Sequence, residues 1–153
     1  MMNDTEQHVL ATQILSVLPI VSQTVTASLR THPDPIALNQ VMVLRTLAER
    51  PFNLSDLAKE HAVSLPTMSN TVSRMVKQGW ITRVRSQEDR RMVLIELTDV
   101  GYTRLHSIFE HLASTITSLL STLSAAQRAE LSRGLSLIET IFIPQEGETK
   151  IVC

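Results

Sequence analysis

Cysteine is almost missing from this 153-residue chain; the single one, Cys153, is the last residue. One thiol closes no intramolecular disulfide and builds no cysteine-rich zinc cluster. Glycine is nearly as scarce, with four residues at positions 79, 101, 134 and 147, which leaves no glycine-rich loop to cradle a phosphate. No nucleophile–base set or metal triad falls at helical or loop spacing, so no enzyme and no cofactor are expected. No apolar run reaches the roughly 18 residues that span a bilayer. The N-terminus, Met1-Met2-Asn3-Asp4-Thr5-Glu6, lacks the basic start of a secretory signal. The expectation is a soluble cytoplasmic protein without a membrane partner. Excess charge is lacking as well: the formal net charge of −1 argues against nucleic acid as a partner if it is spread evenly.

What the chain does have is apolar residues, 43% of the total, in strong helical periodicity at both ends. Leu10, Ile14, Val17, Val21, Val25 and Leu29 recur at steps of three and four, one stripe of a long helix that Pro19 either kinks or restarts. Pro33 and Pro35 end that segment, and a second helix over about Ile36 to Glu49 buries Val41, Leu44 and Leu47. Toward the far end Leu105, Ile108, Phe109, Leu112, Ile116, Leu119, Leu120 and Leu123 make a second long stripe. A last helix follows from about Ala125 to Phe142, with Leu131, Leu135, Ile138 and Phe142 on its face; Ser124 is placed to cap it and Pro144 to close it. This is more apolar surface than one thin layer hides, and it predicts pairing with a second copy through Leu10, Ile14, Ile116, Leu119, Leu120, Leu123, Leu135, Ile138 and Phe142.

Between the long helices the pattern changes. Asn53 caps a short helix whose Leu57, Ala58 and Ala62 face inward. His61-Ala62-Val63-Ser64 forms a tight turn, and Ser64 caps a second helix from Leu65 to about Gln78 with Pro66 in its first turn and Gly79 at its end. Met68, Val72, Met75 and Val76 form its inner side. Ile81 to Arg85 and Met92 to Leu97 then read as two strands around a polar tip, Ser86 to Arg91, with Val93, Ile95 and Leu97 on one face. The tip has no Asn-Gly or Asp-Gly, so a longer, mobile loop is predicted. A helix-turn-helix followed by a basic-tipped hairpin is a winged helix. The fold class is therefore mainly α with a small β-hairpin wing. It is organised as an N-terminal dimerisation helix (1–35), a winged helix-turn-helix lobe (36–100), C-terminal dimerisation helices (101–143) and a flexible tail (144–153).

At these residues the chain resembles the MarR family of bacterial transcription regulators. The matching stretches are Leu54-Ser55-Asp56-Leu57-Ala58, Val72 to Ile81, Asp89-Arg90-Arg91 and Leu97-Thr98-Asp99-Val100-Gly101. The resemblance implies a homodimer that binds double-stranded DNA at a pseudo-palindromic operator, usually as a repressor. It also implies release by a small aromatic or anionic effector held where the helical region meets the winged lobe. Gln23, Arg30, His32, Gln40 and Arg45 are the polar groups expected to converge there. Family members that sense peroxide use a cysteine near the N-terminal helix, and none stands there in this chain.

The charge is not spread evenly. Ser64 to Arg91 holds six basic and two acidic residues, a net +4 over 28 positions, while the other 125 carry −5. The positive part falls on the elements that a winged helix presents to DNA. Pro66, Thr67, Ser69, Asn70, Ser73, Arg74 and Lys77 on the second helix, with Arg83, Arg85, Asp89, Arg90 and Arg91 on the wing, are the predicted DNA-binding residues. Asparagine pairs bidentately with adenine and arginine with guanine, each worth about 1–3 kcal/mol of discrimination. The wing arginines suit a narrow minor groove; the resemblance assigns that insertion to Arg91 and gives Asp89 the role of orienting nearby arginines. A winged-helix protein–protein module is the alternative, but it has no use for the basic bias. His106 and Glu110, one helical turn apart with His111 adjacent, offer too few ligands for a metal, and none is expected. Trp80, just after Gly79, reads as a structural anchor at the entry to the hairpin.

Overall fold

A computed structural model describes residues 4–142, which divide into two compact units at Ala113 and Ser114. Pro144, Cys153 and the tail over 144–153 lie outside the described residues.

The first unit runs α1 (Asp4–Thr31), α2 (Leu38–Glu49), β1 (Phe52–Asn53), α3 (Leu54–Glu60), α4 (Leu65–Lys77), β2 (Ile81–Arg85), β3 (Val93–Leu97) and the larger part of α5 (Asp99–Leu120). Its core is built from Leu29, Leu44, Leu57, Val72, Met75, Ile81, Ile95 and Ile108, each no more than 2% exposed. Full burial of one such side chain contributes about 1.5–3 kcal/mol. That core joins α2, α3, α4, the sheet and the start of α5 into one winged lobe, and it supports α4 from behind so that its outer face is free.

Each element has a local cause. Asn53 Oδ1 accepts from Asp56 N–H (2.8 Å) while its Nδ2 donates to Asp56 Oδ2 (2.7 Å), which caps α3 from both sides. Ser64 Oγ accepts from Thr67 N–H (3.3 Å) at the start of α4. At the end of α4, Gly79 takes φ +75° and the Trp80 N–H returns to the Met75 carbonyl (3.1 Å), the glycine-terminated helix end the sequence predicts.

Four local expectations change. Pro51 ends α2, and the next two residues form a third strand: Phe52 pairs with Ile95 and Asn53 with Leu94, giving the sheet order β1-β3-β2. Two residues are too few to show alternation, which is why the pattern reads only as a cap. Ala62 does not face inward; it is exposed and sits at φ +50°, because the turn needs a left-handed residue to send the Val63 N–H back to the Ala58 carbonyl (3.0 Å). Val93 follows the strand alternation but is 47% exposed, since the wing runs past the core at that point. The wing tip is long, as expected, but it forms a hydrogen-bonded turn: Ser86 N–H meets the Met92 carbonyl (2.9 Å) and Met92 N–H the Asp89 carbonyl (2.8 Å).

The helix α1 is continuous through Pro19. It also overturns the expectation about membrane-length segments: α1 is long and apolar enough to cross a membrane by length and composition. Serine, threonine and glutamine break up its apolar runs, yet no charged residue stands between Glu6 and Arg30. None of that apolar window is buried within the single chain.

The second unit contains the end of α5 and α6 (Ala125–Phe142). Ser124 Oγ accepts from Gln127 N–H (3.2 Å) and Gln127 Oε1 accepts from Ser124 N–H (2.9 Å), a reciprocal cap on α6. No residue of α6 is buried, and Leu135, Leu137, Ile141 and Phe142 are each more than half exposed.

Candidate nucleic-acid interface

Met68, Val72 and Met75 bury one face of α4, and the helical period turns Pro66, Thr67, Asn70, Ser73, Arg74 and Lys77 to the opposite side. Asn70, Arg74 and Lys77 are exposed, while Ser69 sits on the flank and is half-buried. Thr67 Oγ1 lies 2.7 Å from Ser64 Oγ, so this hydroxyl takes part in the helix cap. Ser73 Oγ accepts a hydrogen bond from Arg83 Nη2 (3.2 Å), which ties strand β2 of the wing to α4. Arg83 and Ser73 are thus brought together, and the guanidinium keeps further donors facing solvent.

At the wing tip Asp89 Oδ1 accepts from the Arg91 N–H (2.9 Å) and stands 3.5 Å from Arg91 Nε, while the Arg91 side chain is 94% exposed. The carboxylate thus meets both the backbone and the side chain of Arg91. Arg85 and Arg90 are exposed as well. Six guanidinium or ammonium groups therefore lie on one helix face and one hairpin, and Glu88 and Asp89 are the two acidic residues within Ser64 to Arg91.

The lobe is tied together behind this face. The Thr98 hydroxyl lies 2.6 Å from the Gly79 carbonyl and 3.0 Å from the Trp80 carbonyl, and it accepts from Gly101 N–H (3.0 Å). One side chain joins the end of α4 to the start of α5. His61, in the turn between α3 and α4, buries its Nε2 without a hydrogen-bond partner. Burial lowers its pKa from 6.5, against a smaller upward pull from Glu60. Between the lowered folded value and the unfolded value near 6.5, the unfolded chain binds a proton that the folded chain refuses. Stability is then expected to be complete above about pH 7 and to fall as the pH drops below about 6.5, levelling off below the folded value. Urea melts of the wild type and of His61→Gln across that range check this; equal slopes in both would contradict it.

The five residues expected to share an effector pocket do not converge. Gln23 and Arg30 line a cavity of about 290 Å³ along α1. Gln40 Oε1 accepts from the Ala37 N–H (3.3 Å) and serves as a cap for α2. Arg45 is exposed on α2. His32 is buried in a polar node that includes Arg104, a residue the sequence reading passed over. The available signal was its phase: Arg104 stands three residues after Gly101 and four before Ile108, on the buried stripe of α5. Arg104 Nη1 lies 3.3 Å from His32 Nδ1, which also accepts from Asp34 N–H (3.0 Å), and His32 Nε2 lies 3.2 Å from Ser107 Oγ. His111 is drawn into the same region, its Nε2 2.9 Å from the Ser28 carbonyl and its ring edge-on to His32. His111 therefore turns toward α1 while His106 and Glu110 are exposed. Among the described residues no three metal-ligating side chains gather.

Helix-turn-helix, three-stranded wing and basic outer face define a winged helix-turn-helix protein. Residues 36–93 match the family model described as the MarR family. Curated relatives include a protein named as an uncharacterized HTH-type transcriptional regulator, YpoP of Bacillus subtilis. It is 34% identical over 67 residues, 43% of this chain and 48% of the relative. The HTH-type transcriptional regulator PecS of Dickeya dadantii is 28% identical over 101 residues, 63% of this chain and 61% of PecS. The chain thus spans between about half and two thirds of the length of these relatives. Among solved structures, wild-type MarR of E. coli in its apo form aligns with a TM-score of 0.72 and 23% identity over 88% of this chain and 97% of that one. RV1404 of Mycobacterium tuberculosis aligns with a TM-score of 0.77 and 22% identity over 99% and 100%.

Proposed function

We propose that this chain is a sequence-specific, double-stranded-DNA-binding transcription regulator of the cytoplasm, with no catalytic activity. On this reading it acts as a homodimer on a pseudo-palindromic operator, represses by obstructing polymerase, and lets go when a small effector binds. The observation that carries the proposal is the placement of Asn70, Arg74, Lys77, Arg85, Arg90 and Arg91, all exposed on the outer face of α4 and on the wing. In a winged helix these surfaces meet the major groove and the neighbouring minor groove. The names of the curated relatives point the same way.

Pairing is supported by the apolar residues left uncovered in a single chain. Leu10, Leu119, Leu135 and Phe142 are between 49% and 63% exposed, and Ile138 is 39% exposed; Ile14, Ile116, Leu120 and Leu123 are half-buried. Two recognition helices related by a two-fold axis meet half-sites about 34 Å apart, one turn of B-DNA. Light scattering is expected to give about twice the 17.1 kDa chain mass, and a monomer at micromolar concentration contradicts the pairing.

DNA binding is tested by gel shift on the DNA flanking the chain's own gene. Arg91→Ala is expected to weaken binding and to reduce the slope of log affinity against log salt by about one, as for one lost phosphate-type contact. Unchanged affinity and slope would remove the wing from the interface. No binding of the wild type at low salt would favour the protein–protein module instead.

A further inference from the structure

The leading end of α4 differs in chemistry from the rest of the basic face. No Asp, Glu, Lys or Arg stands between Glu60 and Arg74, and the two cations of the helix, Arg74 and Lys77, lie in its last turn. The hydroxyls at the leading end are engaged with one another: Ser64 Oγ accepts from the Thr67 N–H (3.3 Å) and lies 2.7 Å from Thr67 Oγ1. What this end turns to solvent is apolar. Val63 is 40% and Leu65 49% exposed, one on either side of the capping serine, and Ala62 and Pro66 are exposed beside them. The turn that carries them is fixed by the left-handed Ala62 and by the Val63 N–H on the Ala58 carbonyl (3.0 Å).

A helix-turn-helix brings the N-terminal residues of its second helix to the base edges in the major groove. Most groups displayed there are hydrogen-bond donors or acceptors, which valine and leucine cannot satisfy; the apolar member of the code is the C5-methyl of thymine. We propose that Val63 and Leu65 select thymine in each half-site by packing on its C5-methyl group, ahead of the polar contacts of Asn70 and Arg74. Contact removes apolar surface from water on both partners, which is favourable in proportion to the area covered. The patch is continuous along α4 with Arg74 and Lys77, so the polyanion that these cations attract is also what covers it. A protein seated on the patch would instead exclude DNA from the helix. The inference rests on the proposed function and adds to it the base that the leading end of α4 reads.

Duplexes that bind the full-length wild type are enriched from a random pool, and the strongest is resynthesised in two forms, with thymine and with uracil. The two differ only in the methyl groups. Gel shifts at one salt concentration are expected to give the wild type at least about a fivefold preference for the thymine form, from one covered methyl per half-site. Leu65→Met keeps an apolar side chain and is expected to keep the preference. Leu65→Ala is expected to lower it, and Val63→Ala combined with Leu65→Ala to bring it below about twofold. Each preference is a ratio within one preparation, so partial unfolding of a variant changes both affinities and cancels from the ratio. Equal affinity of the wild type for both forms overturns the contact and leaves the patch to a protein partner. The same preference in wild type and both alanine variants also overturns it, by assigning the methyl effect to DNA shape or to another residue. In these two cases sequence-specific DNA binding stands. Failure of the wild type to enrich any sequence rejects the regulator itself, and the contact with it.

Discussion

Replacing Gly101 with alanine is expected to lower the stability of the fold by about 3 kcal/mol, although glycine-to-alanine in a helix ordinarily adds up to about 1 kcal/mol. The sign reverses because of what a Cβ meets at this position: the Trp80 carbonyl oxygen at 2.0 Å and Leu97 Cδ1 at 2.7 Å. The leucine can turn aside, but the carbonyl belongs to backbone that the Thr98 hydroxyl and amide both hold at 3.0 Å. Relief requires α5 to move away from Trp80, just beyond the end of α4. For a chain of this size the loss corresponds to a drop in melting temperature of about 6–12 °C. Calorimetry checks it, with Gly134→Ala as the control, since a Cβ there meets nothing within 4 Å. If both variants melt alike, the close approach of α5 to Trp80 is wrong.

The second large effect belongs to recognition. On the proposed function, Asn70→Ala combined with Arg74→Ala removes the two exposed side chains on α4 that are able to make bidentate contacts to base edges. At about 1–3 kcal/mol for each contact, operator affinity is expected to fall at least about 30-fold. Affinity for random DNA is expected to fall far less, because Lys77 and the wing cations remain. Competition gel shifts read the ratio of the two affinities. A uniform loss on both DNAs would mean that this helix positions the protein without reading sequence.

The winged lobe was legible because its signals are local. Asn53, Ser64 and Gly79 act within a few residues of themselves, and the period of Met68, Val72 and Met75 fixes which side of α4 faces out. The basic wing was legible for the same reason, as alternation on either side of a polar tip. The polar node was harder, because Arg104 is 70 or more positions from Asp34 and His32 and meets them only through packing of α5 against the α1–α2 turn. Phase alone was enough to place Arg104 inward, although it was not used, but a charged residue on an apolar stripe yields its partner only in three dimensions. Strand β1 was lost to shortness, and the membrane-length apolar character of α1 to serine and threonine that interrupt its apolar runs without adding charge.

Ser73 with Arg83 fastens one side of α4 to the wing, and Thr98 fastens its end to α5. A lobe pinned at two points turns as one piece, so neither its helix nor its hairpin adjusts alone when a target is imperfectly laid out. On the proposed function, one base pair inserted between the half-sites rotates the second by about a tenth of a turn and shifts it by about 3.4 Å. A whole lobe must follow both displacements. On that reading, spacing between half-sites is held as strictly as the bases within them, through two hydroxyl contacts, Ser73 with Arg83 and Thr98 with Gly79.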